Sequence, residues 1–212
     1  FSFFRIPLHF FTDSAERNTS VYLICLLAPA LAAILLHSTL YDSWRHLFFI
    51  YPSFILMAIY GLHRLIKTKA VYFAFATLVL TFISCLAFII QNHPFQQVYF
   101  NRLVDNGKPE NLRSRFELDY WGSSYKQSYE YLLSHDPSEL INVAVQNEPG
   151  IYNLGILTAE QYNRIRLTDV KEADYFITNY RWHPQEYIEY RGKEWHSFKV
   201  EGNSISTIFK LK

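Results

Sequence analysis

Residues 70–90 read AVYFAFATLVLTFISCLAFII, a stretch of 21 positions without a charged side chain. As a helix this stretch extends about 30 Å, at roughly 1.5 Å per residue, which matches the hydrocarbon core of a bilayer. Residues 21–36 and 47–62 are shorter but also uncharged. Buried helices of a soluble α protein, the alternative, rarely stay free of charge over such a length. We therefore predict that residues 1–90 form a transmembrane helical bundle with three spans.

The connection between the second and third spans predicts how the chain is oriented. It runs from His63 to Lys69 and contains three Lys/Arg side chains and no acid. Short loops with an excess of positive charge face the cytoplasm. The third span then leads outward, so we expect residues 91–212 to form a domain on the extracytoplasmic side.

The composition excludes several classes of protein. The formal net charge is +1, with 20 Lys/Arg and 19 Asp/Glu, so we expect no nucleic-acid partner held by phosphate neutralisation. The two cysteines cannot form a disulfide framework. The eight histidines are scattered without metal-ligand spacing, and no glycine-rich phosphate loop is present. We therefore expect neither a metal nor a nucleotide cofactor.

Residues 91–212 carry the pattern of a small α/β domain with one sheet and helices on at least one face. A helix is predicted over residues 123–135, with Ser123 or Ser124 as its N-cap. A second, short helix is predicted near residues 160–164. Strands are predicted at residues 141–145, 165–167, 174–178, 195–200 and 205–211, the last two as a hairpin around residues 201–203.

The loop between the first two spans contains the first candidate site. Arg45 and His46 lie at the predicted depth of the lipid headgroups, beside Asp42. A guanidinium can hold a phosphate through two hydrogen bonds, and an imidazole can add another donor. Asp42 would orient Arg45 or accept a proton. The alternative is an interfacial anchor, in which Arg45 extends toward the headgroups and pairs with Asp42.

A second candidate site combines carboxylates with aromatic rings. Aromatic faces stack on sugar C–H groups, and carboxylates accept hydrogen bonds from sugar hydroxyls. In an extended chain, the carboxylates of Glu117 and Asp119 would point to the same side, because side chains alternate along a strand. The alternative is that the rings fill the core under helix 123–135 while the acids are solvated or pair with Arg113 and Arg115; a weaker interpretation is an acidic metal site for nucleotide sugars. The four residues are Glu117, Asp119, Tyr120 and Trp121.

A third segment of interest follows the first predicted strand. Residues 146–150, QNEPG, would lie at the carboxyl end of that strand. Ligands bind at that edge in open α/β sheets. An ordinary connecting turn has the same composition, so both interpretations stay open.

Four segments together resemble a known family. Residues 41–52, 93–101, 116–122 and 173–177 resemble bacterial membrane glycosyltransferases of the GT-C fold. These enzymes are related to the dolichyl-phosphate-mannose–protein mannosyltransferases and to the lipid A aminoarabinose transferases. The resemblance covers roughly residues 37–212.

The resemblance implies a multi-pass, inverting transferase of the bacterial inner membrane, which moves a sugar from a polyprenyl-phosphate donor to an unidentified acceptor at the outer face. It needs no cofactor beyond the lipid-linked donor. In this family the catalytic base is an acid in the first outer loop, so we expect this chain to be a C-terminal part that contains no catalytic residue. Arg45, His46 and Asp42 would bind the donor phosphate, and residues 117 and 119–121 the sugar or acceptor.

The alternative function is not enzymatic. The chain would then be a membrane-anchored binding or assembly protein of the cell envelope, with the polar half contacting its partner. The two functions differ in the expected number of upstream spans, because only the transferase requires a larger polytopic protein.

Overall fold

The computed structural model describes residues 14–40, 43–101, 104 and 112–212 of the chain. The chain divides into two compact units, Phe1–Ile83 and Ser84–Lys212. The division falls inside the third predicted span, because the last turns of that helix pack with the residues that follow it.

Three apolar helices form most of residues 14–91. Helix α1 spans Ser14–Leu35, α2 spans Tyr51–Leu65 after a 3-10 segment at Ser43–Ile50, and α3 spans Ala70–Gln91. Among the described residues, three helical stretches are long and apolar enough to cross a membrane, which confirms the prediction of three long apolar helices. They are Arg17–Leu35, Arg45–Leu65 and Ala70–Gln91.

The two prolines of these helices occupy different positions. Pro29 lies inside α1. Pro52 lies in the first turn of α2, because the helix begins at Tyr51 and the preceding residues form the 3-10 segment. A proline in the first turn removes no helical hydrogen bond, since the N–H groups there have no partner within the helix. Pro52 is therefore a helix-start residue rather than an interruption of the predicted span.

The second unit is built around a five-stranded sheet. The strands are β1 Ile141–Val145, β2 Ile165–Leu167, β3 Tyr175–Thr178, β4 Glu194–Val200 and β5 Asn203–Lys210. Their order across the sheet is β2-β1-β3-β5-β4. Strands β1 and β2 are parallel, as are β1 and β3, whereas β5 is antiparallel to both β3 and β4.

The described part of this unit contains four α-helices in addition to the end of α3. They are α4 Leu112–Arg115, α5 Ser124–His135, α6 Glu148–Asn153 and α7 Ala159–Asn163. The predicted sheet, the helix near residues 123–135 and the hairpin are all confirmed, with ends that differ by one or two residues. Helix α7 begins with a capping box, in which the Thr158 hydroxyl accepts from the Gln161 N–H and the Gln161 side chain accepts from the Thr158 N–H.

The sheet has an apolar core on each face. Helix α5 covers one face, where Tyr129 and Leu132 pack with Ile177 and Ile208. Alternate residues of the same strands, Phe176 among them, point to the other face and form a smaller cluster. A third cluster joins the end of α3 to this unit. Its buried members are Phe88, Phe95, Val98, Leu112, Leu118, Val200 and Ile205.

Candidate functional site

The turn before α5 is fixed by the carboxylate of Asp119. Its Oδ1 accepts hydrogen bonds from the N–H and hydroxyl of Ser123, both at 2.9 Å. Its Oδ2 accepts from the N–H of Ser124 at 3.1 Å and from the hydroxyl at 2.5 Å. Asp119 is only 1% exposed. The negative charge therefore satisfies donors at the N-terminus of α5, where the helix leaves them without partners.

This arrangement corrects two details of the sequence analysis. Helix α5 begins at Ser124, but the Ser123 side chain does not cap it and donates to Asp119 instead. Residues 118–121 form a turn rather than an extended segment. The alternation that would place Glu117 and Asp119 on one side does not apply, and only Glu117 is exposed.

The two aromatic residues of the turn lie outside the core. Trp121 is 71% exposed, and Tyr120 is half-buried with its ring 5.0 Å from that of Trp121. The alternative in which these rings fill the core under α5 is therefore wrong for Trp121. An exposed indole face beside polar groups is what a sugar-stacking platform requires.

Arg181, from the segment after β3, joins this turn. Its guanidinium carbon lies 3.8 Å from the centre of the Tyr120 ring, and its Nε lies 3.5 Å from Oε2 of Glu117. The neighbouring Trp182 is 61% exposed, and its ring centre lies 5.1 Å from the same guanidinium carbon. We name these five residues the tryptophan cluster: Glu117, Tyr120, Trp121, Arg181 and Trp182.

The ion pairs differ from those expected for this segment. Glu117 pairs with Arg181, whereas Arg113 pairs with Glu186. Arg115 donates to the carbonyl of Val104. The alternative in which Glu117 and Asp119 pair with Arg113 and Arg115 is therefore not observed. The arginine that lies beside Glu117 is Arg181, which follows β3 in the chain.

The backbone at Tyr180 redirects the chain after β3. Tyr180 has a φ of 59°, an unusual conformation for a residue with a bulky side chain. Its N–H donates to the Thr178 hydroxyl at 3.0 Å and its hydroxyl to Thr207 at 2.9 Å. Burial raises the pKa of Tyr180 above its ordinary value, so the phenol stays neutral and can donate. The strained turn holds Arg181 and Trp182 against Tyr120.

The cluster lies at the carboxyl edge of the parallel strands. Strand β1 has β2 on one side and β3 on the other, so the chain order reverses between β1 and β3. At this point the Asn147 side chain donates to Oδ1 of Asn179 at 2.7 Å, and Asn179 donates to the backbone carbonyl of Asp119 at 2.9 Å. Open α/β sheets bind ligands at this reversal. The predicted segment 146–150 is thus joined to the turn that carries Trp121.

Two glycines permit this close approach. A Cβ on Gly122, whose φ is 68°, would lie 2.4 Å from Cβ of Pro149. A Cβ on Gly150 would lie 2.7 Å from Cβ of Val145. Neither position accepts a side chain without movement of its neighbours. The turn and the segment after β1 are consequently closely packed at Gly122 and Pro149.

The predicted phosphate-binding residues belong to the first unit. Arg45 and His46 lie in the 3-10 segment, and both side chains are exposed. Two residues of the same segment, Leu47 and Ile50, are buried. An apolar cavity of about 370 Å³ lies beside α1, with Ile50 among its lining residues. Asp42 lies outside the described residues.

Arg181, Trp182 and Asn179 were not predicted from the sequence to belong to the site. The dipeptide Arg181–Trp182 follows directly after an apolar strand and combines a cation with a large ring. The sequence signal that could have identified these residues is their position directly after a predicted strand. The same signal identified residues 146–150. In the part of the chain that the structure describes, no group of three or more metal-ligand side chains is found.

In comparisons with known proteins, no family model, curated protein or solved structure matches this chain.

Proposed function

We propose that this chain is the C-terminal part of a multi-pass bacterial inner-membrane glycosyltransferase that uses a polyprenyl-phosphate sugar donor. The observation that carries the proposal is the tryptophan cluster at the strand-order reversal. It offers two exposed indole side chains, a carboxylate and a guanidinium at one edge of the sheet. Those groups are complementary to the C–H faces and hydroxyls of a sugar.

The membrane placement is supported by the three long apolar helices and by the basic turn between α2 and α3. Large side chains such as Phe73 and Leu80 are more than two-thirds exposed. In water such a surface would be unstable, whereas lipid makes it favourable. The excess of positive charge at Arg64, Lys67 and Lys69 favours a cytoplasmic turn and an extracytoplasmic second unit.

Donor binding is assigned to the 3-10 segment that begins at Ser43. Arg45 and His46 would hold the phosphate that leaves with the polyprenyl chain, with Asp42 as their neighbour. The apolar cavity lined by Ile50 of the same segment supports an apolar ligand portion nearby. The catalytic base would come from a part of the protein outside this chain.

Transfer by the full-length protein tests the catalytic proposal. Membranes that contain the full-length protein are given a panel of radiolabelled polyprenyl-phosphate sugars, and transfer to the endogenous acceptors of those membranes is measured. We expect Arg45→Ala to lower turnover or donor affinity about tenfold or more, because a charged hydrogen bond to the phosphate is lost. Wild-type turnover and donor affinity in Arg45→Ala would contradict the phosphate role.

Sugar binding by the second unit is tested separately with the Trp121→Ala, Trp182→Ala double variant. Loss of two stacking faces should weaken binding of the donor sugar roughly tenfold. Binding is measured as the amount of radiolabelled sugar retained by the protein, because this readout does not depend on tryptophan fluorescence. Tyr162→Ala is the matched control, because Tyr162 is an exposed aromatic residue on α7, which leads into the amino end of β2. Equal losses in both variants would contradict a site at the cluster.

Topology is tested with single cysteines in a Cys25→Ser, Cys85→Ser background. A membrane-impermeant thiol reagent applied to spheroplasts should label Lys212→Cys but not Lys67→Cys. The reverse pattern, or labelling of both, would overturn the orientation without bearing on sugar binding.

A further inference from the structure

A second concave site lies in the α/β unit, between α4 and the β4–β5 hairpin. It is a polar cleft of about 360 Å³, within the size range of small-ligand sites. None of its lining residues is aromatic, in contrast to the tryptophan cluster. The lining includes Arg113, Ser114, Glu186, Glu194, Lys199 and Ser204.

The charges of the cleft are balanced, with two cations and two carboxylates. Arg113 is a fixed member, because its guanidinium carbon lies 4.1 Å from the Tyr180 ring centre and its side chain is 16% exposed and paired with Glu186. Glu194 and Lys199 are exposed and form no ion pair with another described residue. A ligand carrying one charge of each sign would pair with both.

The cleft lies next to the cluster that contains the end of α3. Arg113, Lys199 and Ser204 are chain neighbours of Leu112, Val200 and Ile205, which belong to the same buried cluster as Phe88 of α3. Phe88 is three residues from the end of that apolar helix. If α3 crosses the bilayer as proposed, its exit places the cleft at the lipid–water interface, within reach of lipid headgroups.

We propose that this cleft binds a phosphate ester that carries a primary ammonium, in the form of a phosphatidylethanolamine headgroup. Arg113 and Lys199 hold the phosphate, and Glu194 with Glu186 accepts hydrogen bonds from the ammonium. A purely anionic headgroup is repelled by the carboxylates. A phosphocholine headgroup has no N–H to donate to them. The inference rests on the proposed membrane placement, but not on glycosyl transfer.

Native mass spectrometry of the delipidated full chain in detergent tests the proposal. Phosphatidylethanolamine, phosphatidylglycerol and phosphatidylcholine with identical acyl chains are added at equal concentration, and the retained lipid is counted. We expect at least a fivefold preference for phosphatidylethanolamine. Lys199→Gln should lower retention of this lipid several-fold, and Glu194→Gln should shift the preference toward phosphatidylglycerol. Glu160→Gln and Lys171→Gln, which change exposed charges outside the cleft, should leave the preference intact.

The proposal would be overturned by equal retention of the three lipids, by an unchanged preference in Glu194→Gln, or by a preference lost equally in the control variants. Free O-phosphoethanolamine separates the two sources of this chemistry. If free O-phosphoethanolamine at millimolar concentration competes with the lipid, and the lipid is retained in its absence, the result supports a headgroup site. If only the free compound binds, the result contradicts a headgroup site. Because no transfer is measured, a failed lipid site and a failed transferase assignment remain distinguishable, and the cysteine labelling tests the membrane placement independently.

Discussion

Helices α2 and α5 differ in where their large side chains lie. Helix α2 has 15 residues and buries none of them, although its sequence is mostly apolar. Helix α5 has 12 residues, carries polar groups throughout, and buries six. In water, apolar surface gains free energy when it is buried, so α5 has the arrangement expected of a water-exposed domain. The opposite arrangement in α2 supports lipid as the solvent of the first unit.

Polar side chains form two kinds of hydrogen bond in these elements. In the α/β unit, Asn147 donates to Asn179 and Asn179 donates to the backbone carbonyl of Asp119, so these bonds connect segments that are distant in sequence. In α3 the Thr77 and Thr81 hydroxyls donate to carbonyls four residues earlier in the same helix, and the buried Ser128 hydroxyl of α5 does the same. A bond of this kind satisfies a hydroxyl without a partner from outside the helix. It is therefore compatible with lipid around α3 as well as with the protein core around α5.

The largest expected difference is between two matched leucine truncations. Leu132→Ala should lower the free energy of unfolding of the α/β unit by about 2–5 kcal/mol, because Leu132 is fully buried against the sheet. Leu80→Ala should leave that free energy unchanged, because Leu80 is 67% exposed on α3. Denaturant unfolding of the full chain in detergent, followed by near-UV circular dichroism, measures both. Equal losses would contradict the comparison.

A smaller effect is expected for the carboxylate that starts α5. Asp119→Asn should destabilise the α/β unit by about 1–3 kcal/mol, because an amide cannot accept from both pairs of donors on Ser123 and Ser124. Glu117→Gln, an exposed acid two residues away, should change stability by less than about 0.5 kcal/mol. The same unfolding measurement compares them. A larger loss in Glu117→Gln would indicate that the two acids have exchanged roles.

The smallest effect concerns pH and a ring stack on the second unit. The Tyr131 ring lies between His135, at 3.9 Å, and His196, at 3.7 Å. Burial, and then the charge of His135, lowers the pKa of His196 below its ordinary value of 6.5. As pH falls below that value, the unfolded chain takes up the proton first, so stability falls until the lower folded pKa is reached.

We therefore expect the melting temperature of the α/β unit to decline between pH 7 and the folded pKa of His196, and His196→Asn to reduce that decline. His93→Asn serves as the control, since His93 lies outside the stack and contacts Gln96. A decline of the same size in His196→Asn would assign the pH dependence to another group.

Local sequence pattern predicted most of the fold. The spacing of Tyr125, Tyr129, Leu132 and Leu133 places them on one helical face, and all four are buried. The hairpin followed from alternation on both sides of residues 201–203, and three apolar helices followed from charge-free length. These elements were predictable because the side chains that determine them are close in sequence.

The candidate site was only partly predictable. Residues 117 and 119–121 were identified by composition. That Asp119 is a buried carboxylate whereas Trp121 is exposed was not predictable, since an extended chain and a turn have the same residue types. Arg181 reaches the turn through the pairing of β3 with β1 and the positive φ of Tyr180. Contacts between residues about 60 positions apart depend on strand order, which the sequence pattern does not specify.

The sequence by itself determined that the first half contains three apolar helices and the second a sheet with helices, because hydrophobic length and periodicity act locally. Tertiary structure alone decided which polar groups meet. The strand order brings the segments after β1 and β3 to the turn before α5, and Gly122 and Gly150 leave room there for the side chains of Pro149 and Val145. That packing leaves Trp121 and Trp182 at the surface. It buries Asp119, which is possible because the hydrogen bonds of its carboxylate are satisfied there.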